Sequence, residues 1–154
     1  ISGSQEAFAE LMNTEAKQLG ATGTHFVNPH GLHDENHYTT TYDLYLMFNE
    51  ALKDQAFLDI ISMNSYTAKV TSADGTSYTP TWQATNYYSA GEATPPDGIH
   101  VYGGKTGTTD QAGNCVILYE KNTAGEPYIS VIMGASDKPL LYEEMNELLD
   151  AGMK

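Results

Sequence analysis

Gly103-Gly104-Lys105-Thr106-Gly107-Thr108-Thr109 sits among three β-rich runs, and those surroundings decide the fold. The runs are Ile99 to Thr106, Asn114 to Lys121 and Tyr128 to Gly134. Thr109-Asp110-Gln111-Ala112-Gly113 joins the first pair, and Asn122-Thr123-Ala124-Gly125-Glu126-Pro127 joins the second. Connections this short force neighbouring strands to run antiparallel, so the segment predicts a meander. An amphipathic helix carrying Leu140, Leu141, Met145, Leu148, Leu149 and Met153 follows and is long enough to cover one sheet face.

Upstream the period is helical. Ser4 is placed to cap a helix in which Phe8, Leu11, Met12, Ala16 and Leu19 recur at three- and four-residue spacing, with Gly20 ending it. Thr40 or Thr41 caps a second helix through Tyr42, Leu44, Tyr45, Met47, Phe48, Ala51 and Leu52, and Asp54 starts a short third one through Phe57, Ile60 and Ile61. Between the first two runs a long polar loop, Gly23 to Tyr38, with Asn28-Pro29-His30-Gly31 inside it. Tyr66 to Thr71 and Ser77 to Thr79 flank Ser72-Ala73-Asp74-Gly75-Thr76 and predict a hairpin, after which a Gly-, Pro- and Ser-rich loop spans Ser89 to Gly98. The expected organisation is one unit over residues 1–154: helical at about 4–62, a small hairpin at about 66–82, and sheet strands plus closing helix at about 99–153. The fold class is α+β, an antiparallel sheet packed with helices.

The 154 residues are 40% hydrophobic and only 18% charged, with eleven tyrosines, which is ample core material for a globular chain. Seven basic against twenty acidic side chains give a formal charge of -13, which disfavours nucleic acid and anionic lipid as partners. Cys115 is the single cysteine, so no internal disulfide forms; its neighbours Val116, Ile117 and Leu118 predict a small buried residue. No apolar run reaches eighteen residues and the residues from Ile1 do not form a charged-then-apolar leader; a chain that opens mid-pattern at Ile1-Ser2-Gly3-Ser4 is expected to have been trimmed, so this says little about export.

Three readings of the Lys105 stretch compete. A phosphate loop needs a glycine at position 99, where Ile stands, and a helix afterwards, which Gly107 and Gly113 oppose. A chance tripeptide in a tight turn would leave Lys105 merely solvated. The third is the substrate-binding strand of penicillin-recognising serine enzymes, where Lys-Thr-Gly accompanies Ser-x-x-Lys and a Ser-x-Asn-type element. Lysine supplies fixed positive charge, a threonine hydroxyl reaches a carboxylate, and glycine leaves room for substrate against the strand. The histidines of His25-Phe26-Val27-Asn28-Pro29-His30-Gly31-Leu32-His33-Asp34-Glu35-Asn36-His37 invite a zinc reading, but Pro29 and Gly31 deny the periodic element that would hold two rings on one face; a loop packed through Phe26 and Leu32 is the expectation.

Phe26-Val27-Asn28-Pro29-His30-Gly31-Leu32, then His37-Tyr38-Thr39-Thr40-Thr41-Tyr42-Asp43-Leu44, then Gly104-Lys105-Thr106-Gly107-Thr108-Thr109 and Ala112-Gly113-Asn114-Cys115, together resemble the serine-type D-alanyl-D-alanine carboxypeptidases, the low-molecular-mass penicillin-binding proteins of peptidase family S11. The resemblance spans nearly all of residues 3 to 152. It implies a β-lactamase/DD-peptidase-like fold, of which this chain is the part after the nucleophile region. It further implies acyl transfer on peptidoglycan stem peptides ending in D-Ala-D-Ala, inhibition by β-lactams, an exported setting at the cell wall, and no metal or organic cofactor. Lys105 would supply positive potential and proton traffic. Thr106, with Thr108, would hold the terminal carboxylate, Gly107 would permit close approach, and the Thr108 N–H would form half of an oxyanion hole.

No serine in the chain is followed three residues later by lysine, so the nucleophile of that family is not among these residues. Ser62-Met63-Asn64 fits Ser-x-Asn but follows the second helix, whereas the family places that element before the helix that opens at Ser4; it is read as a coincidence at a helix end. The expected partner is therefore the N-terminal part of the same domain. The rival expectation is a non-catalytic cell-wall-binding or interaction module that kept the strand and lost the chemistry; upstream Ser-x-x-Lys and Ser-x-Asn elements would decide for the enzyme.

Overall fold

The computed structural model describes residues 2–152. Helix α1 (Gln5–Gln18) begins where Ser4 accepts the Ala7 N–H at 3.1 Å, and Gly20, at φ 84°, lets the chain turn away. Thr40 caps α2 (Thr41–Ala51) and Asp54 caps α3 (Gln55–Ile61) in the same way. The loop between α1 and α2 holds together through side chains. Asn13 pairs with both backbone groups of Phe26 at 2.7 and 2.8 Å, His25 and Tyr38 form a β-bridge, and the Thr24 hydroxyl donates to buried Asp43 at 2.6 Å. The carboxylate of Asp43 thus lies in the first turn of α2, where the helix dipole favours it.

The expected hairpin is two stacked pairs. Of β1 (Ser65–Thr67), β2 (Val70–Thr71), β3 (Ser77–Tyr78) and β4 (Thr81–Gln83), β2 pairs with β3 around the turn and β1 pairs with β4 beyond it. The ladder breaks at Pro80, which has no N–H to donate, although its carbonyl accepts from Ala68 at 3.1 Å. A short helix, α4 (Tyr87–Ala90), then occupies what reads as the approach to a loop; its cap, Asn86, is buried.

The meander is as expected: β5 (Ile99–Thr109), β6 (Gly113–Asn122) and β7 (Pro127–Ala135) lie antiparallel in that order. Helix α5 (Lys138–Ala151), capped by Asp137, packs on one face, and the core forms there from Val116, Leu118, Ala135, Leu141, Met145 and Leu149. Each of the larger side chains, the valine, leucines and methionine, contributes roughly 1.5–3 kcal/mol of apolar burial. Leu148, expected inside, is 42% exposed, and Tyr142 takes an interior place instead. Tyr142 stacks on Tyr87 with centroids 4.5 Å apart, and its hydroxyl accepts the Tyr87 N–H at 2.9 Å, tying α4 to α5. Met153 lies outside the described residues. The result is an α+β arrangement.

One acid is inside this core. Glu120 on β6 is 1% exposed; the Ser130 hydroxyl donates to one of its oxygens at 2.6 Å, and the other has no partner among the described residues. Burial pushes its carboxyl up to about 7, against the Ser130 hydrogen bond.

Candidate functional site

Strand β5 is at the edge of its sheet, so the outer side of Lys105-Thr106-Gly107 has no strand partner among the described residues. Which face each side chain takes is set by a bulge. Val101 pairs with Glu120, but Gly103 pairs with Tyr119, so Tyr102 is the extra residue. Side chains alternate with period two; without the bulge, with Tyr102 paired in line opposite Tyr119, Lys105 would stand opposite Val116 and point into the α5 core. With it, Lys105 stands opposite Ile117 and Gly107 opposite Cys115, on the other face. Tyr102 is held there by His100, edge-on at 4.5 Å, by Tyr119, and by the Lys121 ammonium 5.1 Å from its ring centre.

A cleft of about 180 Å³ opens beside that face, and Lys105, Thr106, Gly107, Leu44 of α2, Cys115 and Ile117 are among the residues that line it. Cys115 is partly exposed here rather than buried, and its thiol donates to the Ala112 carbonyl at 3.5 Å. The Lys105 ammonium donates to the Thr106 carbonyl. Thr106 is on the opposite side of the strand, where its hydroxyl meets that of Thr85 at 2.6 Å. Thr108 shares that side and donates to the Asn114 side chain at 3.3 Å. The three glycines differ in their reasons. A Cβ on Gly103 would lie 1.9 Å from the Ile61 carbonyl oxygen and one on Gly104 2.1 Å from that of Ile117, so both serve packing. A Cβ on Gly107 would meet nothing within 4 Å, so its lack of a side chain leaves open space in front of the strand.

None of the other sequence candidates lines the cleft. Three loop histidines use a ring nitrogen locally: His25 against the Asn36 carbonyl at 2.6 Å, His30 accepting from the Leu32 N–H and His37 from the Val27 N–H. Burial pushes His37 below the usual imidazole range, with Asp34 acting against it. Ser62 ends α3, its hydroxyl donating to the Leu58 carbonyl at 2.8 Å. Sequence reasoning missed Thr85 and Tyr102, because their roles come from tertiary contact and strand phase; the Asn86 cap and the break in alternation at Tyr102 were the available signals.

A family model described as D-alanyl-D-alanine carboxypeptidase matches residues 1–137. The chain is 30% identical over 150 residues to the D-alanyl-D-alanine carboxypeptidase DacF of Bacillus subtilis, covering 97% of this chain and 36% of that one. It is 28% identical over 157 residues to a Streptomyces D-alanyl-D-alanine carboxypeptidase, covering 98% and 52%. A solved variant of a Streptomyces DD-transpeptidase superposes with a TM-score of 0.86 at 26% identity, covering 97% of this chain and 55% of that one. A Mycobacterium tuberculosis D-alanyl-D-alanine carboxypeptidase shares the fold, with a TM-score of 0.80 at 24% identity. The chain spans between about a third and about half the length of these curated relatives. With most of its length matched, the chain belongs to the D-alanyl-D-alanine carboxypeptidase family, peptidase family S11.

Proposed function

We propose that residues 1–154 form the substrate-binding wall of a serine-type D-Ala-D-Ala carboxypeptidase acting on peptidoglycan stem peptides, with the nucleophile supplied from outside these residues. The observation that carries the reading is Lys105-Thr106-Gly107 on a free sheet edge beside a cleft, with vacant space in front of Gly107.

The serine oxygen attacks the penultimate D-alanine carbonyl, the C–N bond to the terminal D-alanine breaks with proton transfer to the leaving amine, and water then releases the acyl group. Lys105 supplies positive potential at the cleft, where the chain's net negative charge otherwise opposes an anionic substrate. Thr106 donates to the terminal carboxylate. Thr108 contributes its backbone N–H to the oxyanion hole, since its hydroxyl is engaged with Asn114. β-Lactams would acylate the same serine, and the substrate places the enzyme outside the cytoplasm; no helix among the described residues is long and apolar enough to cross a membrane.

Labelling with a fluorescent penicillin tests the reading. Full-length protein should take one covalent label, and residues 1–154 alone should take none. A stoichiometric adduct on residues 1–154 would contradict it, as would failure of the full-length protein to label. Lys105→Ala in full-length protein should slow acylation by about a hundredfold or more, and unchanged acylation kinetics would remove Lys105 from the mechanism.

A further inference from the structure

We propose that Thr85 is a positioning residue of the substrate-carboxylate site, acting through the hydroxyl of Thr106; this rests on the carboxypeptidase reading. The two hydroxyl oxygens are 2.6 Å apart, a short O–H···O contact, and the residues are 21 apart in sequence. Each hydroxyl carries one proton. If Thr106 donates to a carboxylate, its oxygen is left to accept, and Thr85 is the donor within reach. Carboxylate binding therefore fixes one direction for the chain, Thr85 O–H to Thr106 O–H to carboxylate. Aligned hydroxyls polarise one another, and an ionised acceptor at the end strengthens both links.

Thr85 is suited to this because its own backbone is fixed from both sides. Its predecessor Ala84 donates its N–H to the Asn64 carbonyl at 2.8 Å, closing the β1–β4 ladder. Its successor Asn86 is buried and caps α4, and the Tyr87 N–H is held by Tyr142 of α5. The hydroxyl is thus attached to the α5 core and is independent of the cleft side of β5, where Lys105 and Gly107 lie. Thr106, on a strand whose outer edge has no strand partner among the described residues, gains a fixed neighbour in Thr85 and keeps its outer edge for ligand.

The test compares Thr85→Val, which keeps the shape and removes the hydroxyl, with Thr85→Ser, which keeps the hydroxyl, in full-length protein. The substrates are a peptide ending in D-Ala-D-Ala and the same peptide amidated at its C-terminus. Thr85→Val should raise KM for the acid peptide by roughly five- to tenfold with kcat within about twofold, as expected for losing one charge-assisted hydrogen bond in both ground and transition states. It should leave the amide unchanged, and Thr85→Ser should restore the acid peptide. If Thr85→Val lowers the melting temperature, Thr85→Ala is held to the same criteria. Equal loss on both peptides, or loss on neither, overturns the assignment while penicillin labelling stands. Absence of labelling and turnover in the unsubstituted protein overturns the carboxypeptidase reading and this inference with it.

Discussion

At Gly107 the fold makes no demand for glycine. Since an added Cβ meets no atom within 4 Å, Gly107→Ala should leave the melting temperature nearly unchanged, yet on the proposed reading the methyl stands where substrate would lie. Penicillin acylation of full-length protein should fall by about a hundredfold, the loss typical of displacing a reacting group by about an ångström. Glu120 is the opposite case, a residue that affects the fold far from the cleft. The unfolded chain ionises this acid near 4.5, whereas the folded chain keeps its proton up to about 7. Stability therefore falls as pH rises from about 4.5 to about 7 and is level above that, by up to about 3 kcal/mol. Glu120→Gln should flatten this dependence. Urea unfolding should find the variant more stable than the parent at pH 8 and close to it at pH 4.5.

Among the elements, those whose signals are local were readable in sequence. Ser4 and Asp54 cap the helices they were expected to cap, and of the two candidates Thr40 and Thr41 it is Thr40 that caps α2, because a cap needs only its own backbone two or three residues on. The strand that carries Lys105-Thr106-Gly107 was readable from its β-rich run and short connections. What escaped depends on partners distant in sequence: α4 is fixed by Tyr142 some fifty-five residues away, and on α5 the interior place expected for Leu148 goes to Tyr142, whose hydroxyl is satisfied. The bulge at Tyr102 escaped because alternation within one strand cannot show against which neighbour the count slips. Deleting Tyr102 from full-length protein should remove the bulge and leave Lys105 opposite Ile117, so that penicillin labelling is retained. Lost labelling in that deletion would mean that the bulged tyrosine itself, and not the register alone, serves the site.

Across the whole molecule, apolar surface is distributed unevenly. The α5 side of the sheet is closed, whereas between α1 and α2 a groove of about 600 Å³ lies open, lined by Phe8, Leu11, Met12, Leu19, Met47 and Ala51. Leu11 there is 52% exposed although it lies on the face that the helical period assigns to the interior. Residues 1–154 alone should therefore bind a hydrophobic dye and self-associate on sedimentation, and full-length protein should do so much less. A monomeric fragment that takes no dye would show that this face tolerates water.

Because the bulging of one tyrosine decides the side on which Lys105 emerges, the tripeptide is not a portable part. Grafted with Tyr102 held in an unbroken ladder, the same three letters would present threonine where lysine now stands, at odds with any search or design that matches spelling alone. What would have to be transplanted is a phase: Tyr102, the ring and cation neighbours that hold it out of line, and only then the motif.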